Sequence, residues 1–211
     1  VNWEADGREL LNMQSEGYKV GSTNHNLEYI FKSAVVWTKI TSAAQSFRYA
    51  PDGFIFDDAS GLCPAKDKSR ELEILGLLNS KVSAHLLKAT NPTLNLNPGN
   101  LADIPVSGLV KGAHEVVESC VKISENDWNH FENSLHFSGL PFVLGSSSKC
   151  LGANWEKWKT DTEICAHRLL GLEEENNRLF INAYGLQDEL TPEVPESQIT
   201  LVRADREKDC Q

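Results

Sequence analysis

Residues 35–60 read VVWTKITSAAQSFRYAPDGFIFDDAS, and their pattern decides the fold of the first half of the chain. Short aromatic and β-branched runs with partial alternation are typical of β-strands. We therefore predict three strands, near 35–41, 45–50 and 53–57. The break Pro51-Asp52-Gly53 between apolar runs predicts a hairpin that joins the second strand to the third.

The strand-like pattern gives way to helical periodicity at residue 70. The stretch 70–90, RELEILGLLNSKVSAHLLKAT, carries leucine and valine at intervals of three to four residues, which predicts helix. We expect Gly76 and the Asn79-Ser80 pair to divide it into two helices. Residues 1–34 show no sustained periodicity of apolar residues, so we predict loops and short strands there.

The second half of the chain is predicted to be helical. An amphipathic helix is expected over 108–124, and residues 124–127 have the composition of an N-terminal cap for another short helix. A long helix is predicted over 154–184, with Gly185 at its C-terminal end. The sequence thus predicts an α+β fold, which consists of a small strand-rich lobe with two helices over 1–106, an acidic helical spacer (a bundle or coiled-coil-like) over 107–201, and a frayed charged tail over 202–211.

The formal charge of the 211-residue chain is -10, which argues against a nucleic-acid partner because phosphate binding depends on Lys and Arg. This charge is unevenly distributed. Residues 1–110 hold 10 Lys and Arg against 12 Asp and Glu, whereas residues 111–211 hold 10 against 18. A polyanion would therefore bind the first half of the chain, and the second half would repel it.

Motifs for several kinds of chemistry are missing from the sequence. The 14 glycines include no Gly-x-Gly, so no glycine loop for a cofactor is predicted. The five cysteines are scattered, which predicts reduced thiols and neither a zinc site nor a disulfide framework. Asp57-Asp58 has no third ligand near it in sequence and is interpreted as a polar strand end, so no metal site is predicted. No signal peptide and no apolar run of roughly 18 residues is visible, which predicts a cytoplasmic protein without a membrane partner.

Two Asn-Pro dipeptides, Asn91-Pro92 and Asn97-Pro98, raise the question of a base-binding active site. Enzymes that methylate amino groups of nucleic acids carry an Asn-Pro-Pro-aromatic turn, and an aromatic face stacks on the extruded base. Neither dipeptide is followed by an aromatic residue. We interpret the region as turns that link a helix to a short strand at 104–106, and we predict no catalytic residue.

Four segments, taken in order, resemble a known family. They are VVWTKITSAAQSFRYAPDGFIFDDAS (35–60), LLNSKVSAHLLKATNPTLNLNPGNLADIPV (77–106), SENDWNHFENSLHF (124–137) and RLFINAYGLQDELTPEVPESQITL (178–201). Together they resemble the C-terminal half of PglX, the family of large adenine-specific DNA methyltransferases of BREX phage-defence systems. Fused restriction-modification methylases look similar over the same span.

The resemblance implies a target recognition domain followed by a helical spacer, because the family's methyltransferase domain lies N-terminal to the similar region. It implies no cofactor in this chain and S-adenosylmethionine for the longer enzyme. The partners it implies are double-stranded DNA, the N-terminal methyltransferase domain, and other defence-system subunits or a phage inhibitor. A BREX parent and a restriction-modification parent are both compatible with these motifs.

Side chains that match base edges or phosphates are frequent in the first half. Arg and Lys pair with guanine, and Asn and Gln pair with adenine. We predict that the loop between the first two strands and a loop at 22–26 face the DNA groove, while basic residues at 66–70 contact phosphate. The candidate DNA-binding residues are Lys39, Thr41, Ser42, Gln45, Arg48, Asn24, His25, Lys66 and Lys68. In the alternative interpretation they are solvated surface residues, and Arg48 forms an ion pair with Asp57 or Asp58.

Other functions stay open at this point. The acidic helical half favours a protein-interaction or scaffold module of a phage-defence complex, with little direct DNA contact. A stand-alone enzyme is the poorest interpretation. The core between the helices is expected to hold the aromatic residues Trp128, Phe131, Trp155 and Trp158, with a protein contact as the alternative.

Overall fold

The computed structural model describes residues 4–15, 27–91, 93–106, 108, 110–144 and 150–201. Within these ranges it has the predicted α+β character. The strands are β1 (Ala34–Thr38), β2 (Phe47–Ala50) and β3 (Ser60–Cys63). The helices are α1 (Glu4–Ser15), α2 (Glu71–Leu78), α3 (Lys81–Thr90), α4 (Pro98–Ala102), α5 (Ala113–Trp128), α6 (Pro141–Leu144) and α7 (Leu151–Tyr184). Short 3-10 turns lie at Leu27–Tyr29, Lys68–Arg70 and Glu196–Gln198.

The three strands form an antiparallel sheet with β1 in the centre, in the order β2-β1-β3. Because successive side chains of a strand point to opposite faces, Val35 and Trp37 lie on one face and Val36 on the other. Val35 and Trp37 are buried, so their face is the one that packs on the core. Trp37 needs the space that Gly61 leaves open, since a Cβ at Gly61 would lie 2.0 Å from the indole ring.

The strand predicted at 53–57 and the hairpin predicted at 51–53 are wrong, because β3 begins at Ser60. The end of β2 is tied to the start of β1, where Asp52 Oδ1 accepts a hydrogen bond from the Ser33 N–H (2.7 Å). β2 already occupies one side of β1, so the next strand has to pair on the other side, about 10 Å from β2. The connection after β2 makes that crossing.

The break predicted at Asn79-Ser80 is confirmed, since α2 ends just before it and α3 begins just after it, whereas the division expected at Gly76 is wrong because Gly76 lies inside α2. The predicted C-terminal end of the long helix is also confirmed, because Gly185 follows α7 with a φ of 68°. This left-handed conformation suits glycine, which has no Cβ to clash with the preceding turn. Asn79 also bonds to β2, as its Nδ2 donates to the Phe47 carbonyl (2.9 Å) and its Oδ1 accepts from the Phe47 N–H (3.0 Å).

Four other expectations, three about helices and one about a strand, are wrong. Residues 124–127 continue α5 and do not cap a new helix, because the helix runs unbroken to Trp128. α1 occupies a part of 1–34 where loops and short strands were expected. α4 forms where no helix was expected, because Asn97 and Asn100 form a capping box in which the Asn97 N–H donates to Asn100 Oδ1 (3.0 Å). The strand expected at 104–106 is not formed.

A continuous cluster of buried apolar side chains joins the sheet to α2, α3, α5 and α7. Val117 of α5 and Phe180 of α7 both contact α2 at Gly76, whereas a second cluster packs Cys120 and Ile123 against Leu169. As α5 proceeds from Val117 to Ile123, its partners on α7 move back from Phe180 to Leu169, so the two helices run antiparallel. The division of the chain into two lobes near 107 stays a prediction. Among the described residues, no helix has both the length and the apolar composition needed to cross a bilayer.

Candidate nucleic-acid interface

The loop between β1 and β2, residues 39–46, holds four of the candidate DNA-binding residues. Its start is fixed on both sides, since the Lys39 N–H donates to the Ala59 carbonyl (2.9 Å) and the Lys39 carbonyl accepts from the Leu96 N–H (2.7 Å). Thr41 Oγ1 accepts from the Ala43 N–H (3.1 Å), which forms a tight turn inside the loop. The loop is therefore anchored to the sheet, and it presents polar side chains at one end of it.

The segment 93–96 lies beside this loop, although its sequence predicts only a turn region. The Thr41 N–H donates to the Leu94 carbonyl (3.2 Å), and Trp37 Nε1 donates to the Leu96 carbonyl (2.9 Å). Thr93 Oγ1 donates to Asn91 Oδ1 (2.8 Å), so these polar side chains are held in place. The Asn and Thr residues of this region were the available sequence signal for a polar surface. Only the pairing of the segment with the loop 39–46 places that surface at this end of the sheet. Pro92 lies outside the described residues.

We name the loop 39–46, the turn 57–59 and the segment 93–96 together the loop end of the sheet. There Lys39 Nζ lies 2.7 Å from Asp58 Oδ1. The hydrogen bond from Lys39, together with its positive charge, holds the pKa of the Asp58 carboxyl below its ordinary value. Lys39 thus makes the ion pair that the alternative interpretation gave to Arg48.

The neighbouring Asp57 has a different role, because its Oδ1 accepts from the Ala59 N–H (3.0 Å) and shapes the turn before β3. No group of three or more Asp, Glu, His or Cys side chains within the described ranges is arranged to hold a metal ion. In the described part of the chain, the thiols of Cys63, Cys120 and Cys165 are in no disulfide.

Arg48 lies near the loop end but on one face of the sheet. It pairs with Val36 of β1 and therefore lies on the face opposite Trp37. Arg48 is exposed, and no ion pair with another described residue holds it. Its guanidinium is available to a phosphate or a guanine edge that approaches this face.

The structure places Lys68, and with it Lys66, at the opposite end of the sheet. Lys68 Nζ lies 3.1 Å from Asp52 Oδ2, beside the start of β1. The pKa of Asp52 is lowered, first by the hydrogen bond from the Ser33 N–H and then by the one from Lys68. The five residues of β1 separate the two ends by about 17 Å, the length of roughly five base pairs. Asn24 and His25 lie outside the described residues.

In the helical half, three of the aromatic residues expected in the core are largely exposed. Trp128, Phe131 and Trp155 show 51%, 50% and 43% of their surface. Trp155 does pack with Trp158 and Phe142, with ring centroids 5.1 and 5.2 Å away. The prediction of a core position is therefore wrong for these three, because the buried apolar clusters extend along α5 only as far as Ile123 and along α7 only from Ala166 onward.

Comparison with known proteins confirms the resemblance. No family model matches the chain. It is 31% identical over 215 aligned residues to the adenine-specific methyltransferase PglX of Lacticaseibacillus casei (strain Zhang), an alignment that covers 99% of this chain and 18% of that protein. It is 29% identical over 196 residues to the adenine-specific methyltransferase BrxX of Escherichia coli O9:H4 (strain HS), with 90% of this chain and 16% of that protein aligned. The chain therefore spans less than a fifth of the length of these relatives.

Proposed function

We propose that this chain is the DNA target recognition module of an adenine-specific DNA methyltransferase of phage defence or restriction-modification. The observation that carries the proposal is the similarity to PglX over 99% of the chain. The similarity supports a role associated with adenine methylation, while the recognition role rests on the polar loop end of the sheet and on the near-neutral charge of the first half.

In this proposal the module contacts duplex DNA and holds a separate catalytic domain over one adenine, which that domain extrudes from the duplex. Thr41, Ser42 and Gln45 reach base edges from the loop end, and Lys39 and Arg48 contact guanine or phosphate. Lys66 and Lys68 contact phosphate from the other end of the sheet. S-adenosylmethionine binds the separate domain, since the present chain contains no Gly-x-Gly.

A duplex titration at 50 and 200 mM salt tests the proposal. We expect weak binding at 50 mM that falls steeply at 200 mM, because each phosphate contact releases about one counterion. Lys39→Ala with Gln45→Ala and Arg48→Ala should weaken binding, and in a full-length enzyme it should erode site-selective methylation. The matched control is Lys157→Ala with Lys159→Ala in α7, which removes two positive charges from the acidic half and should leave affinity nearly unchanged. Equal affinity of the two variants, or unaltered site-selective methylation, would refute the assignment of the loop end.

A second candidate function is a protein-interaction module of a defence complex. It is favoured by the distribution of exposed large apolar side chains, of which nine out of fifteen in the described structure lie between Trp128 and Ile164. Concentrated apolar surface of this kind marks contact sites for other proteins or other domains. Folded protein that binds no duplex at 50 mM salt would favour this second function over the first.

A further inference from the structure

Lys39 is a basic side chain of the loop end, and it forms an ion pair with Asp58. The Asp58 side chain that faces it is fully exposed, whereas 23% of the Lys39 side chain is exposed. The pair therefore lies at the surface, where an approaching anion can reach the ammonium group.

The carboxylate of Asp58 occupies a position that a phosphate oxygen would take. Its distance of 2.7 Å to Lys39 Nζ is that of a charge-assisted hydrogen bond. Exposed ion pairs of this kind are weak, because water and salt screen them. A DNA phosphate can therefore displace Asp58, but it has to compete with it.

Asp58 differs in this respect from the other carboxylates near the sheet. Asp57 bonds to the backbone of its own turn, and Asp52 holds the Ser33 N–H in addition to Lys68. Among the residues that the structure describes, the Asp58 carboxylate bonds to Lys39 alone. A change at Asp58 therefore alters the availability of one ammonium group and leaves the sheet intact.

We propose that Asp58 competes with DNA phosphate for Lys39 and thereby limits how tightly the chain holds DNA of unrelated sequence. The inference rests on the proposed function, because it assumes that the loop end contacts DNA. It gives Asp58 a part in setting the affinity for the DNA backbone, which contributes to binding at every sequence. A genome offers a large excess of non-specific sites, so a weaker hold on the backbone shortens the time that the chain spends on each of them.

The test compares Asp58→Asn with Asp57→Asn, which removes the same charge from the adjacent position and keeps an oxygen that can accept the Ala59 N–H. The probe is a short fluorescent duplex of mixed sequence, titrated between 50 and 200 mM salt, with the folding of each variant checked by circular dichroism. Asp58→Asn should gain one phosphate contact and steepen the slope of log K against log[salt] by about one. Its advantage over Asp57→Asn should then be about fourfold larger at 50 mM than at 200 mM salt.

A double-mutant cycle with Lys39→Ala completes the test. In the Lys39→Ala background, Asp58→Asn and Asp57→Asn should bind alike, because no ammonium group is left to release. Equal binding of the two variants in the wild-type background overturns the inference while the proposed function stands. An Asp58→Asn gain that survives in the Lys39→Ala background overturns it as well. If folded wild-type protein and both variants bind no duplex at 50 mM salt, the proposed function fails and the inference fails with it.

Discussion

Replacing Gly76 by alanine is the sharpest test of how α2 packs against α5 and α7. A Cβ on Gly76 would lie 2.6 Å from Val117 Cγ2 and 2.7 Å from Asn176 Oδ1. The Asn176 amide also donates from Nδ2 to the Gly76 carbonyl at 2.9 Å. The added methyl group would therefore push on α5 and on the hydrogen bond that joins α7 to α2.

Two opposing effects set the change in the free energy of unfolding that Gly76→Ala causes. Alanine in a helix interior is more favourable than glycine by about 0.5–1 kcal/mol. Overpacking of a buried site costs about 1–3 kcal/mol, and loss of the buried hydrogen bond costs about 1 kcal/mol more. We expect Gly76→Ala to lower the free energy of unfolding by about 1–3 kcal/mol. For a chain of this size the melting temperature should fall by roughly 3–10 °C.

The matched control is Gly171→Ala in α7, where a Cβ would meet no heavy atom within 4 Å. The same substitution should there raise stability by about 0.5–1 kcal/mol, because only the helix propensity changes. Urea unfolding followed by circular dichroism measures both variants. If Gly76→Ala is as stable as Gly171→Ala, the close packing of α2 on α5 and α7 is refuted.

Three further predictions concern single side chains. Burial raises the pKa of the Cys120 thiol to about 12. Iodoacetamide at pH 8 should therefore alkylate it at least about a thousandfold more slowly than the exposed Cys165, and comparable rates in peptide mass spectra would contradict its burial. Burial also raises the pKa of Glu173 above its ordinary value of 4.5, so the protonated carboxyl favours folding. The stability of the wild type relative to Glu173→Gln should therefore be highest below about pH 4.5 and fall as the pH rises through the raised pKa. A stability difference that is constant with pH would contradict the raised pKa. Gly185→Ala should cost about 1 kcal/mol in urea unfolding, because its φ of 68° is unfavourable for alanine, and an unchanged midpoint would argue against this helix end.

Two helices that depend on local sequence, α2 and α3, were predicted well. The leucine spacing of 70–90 and the Asn79-Ser80 break gave both helices, since helix formation needs contacts three to four residues apart. The position of β3 was missed because its partner, β1, is more than twenty residues away, and nothing local marks which side of β1 is free. The continuation of α5 through 124–127 was missed because Ser and Asp favour a helix start but are tolerated inside one.

In the candidate site, too, local sequence predicted which residues share a loop but not which distant residues contact them. Lys39, Thr41, Ser42 and Gln45 were expected to lie together, and the antiparallel pairing of β1 with β2 places them on one loop. The sequence held no sign that Lys68 would lie at the other end of the sheet, or that Lys39 rather than Arg48 would bind Asp58. The exposure of Trp128 and Trp155 depends on which elements cover them, and that is a property of the tertiary structure.

The double hydrogen bond from Asn79 to Phe47 has a consequence for association between molecules. Phe47 directs its N–H and carbonyl away from β1, which is where a strand from a second molecule would add. The Asn79 amide occupies both groups as a neighbouring strand would, and so it blocks growth of the sheet at that edge. Asn79→Ala should leave the edge open and make the protein prone to β-type aggregation, a hazard that one side chain at a helix junction now prevents.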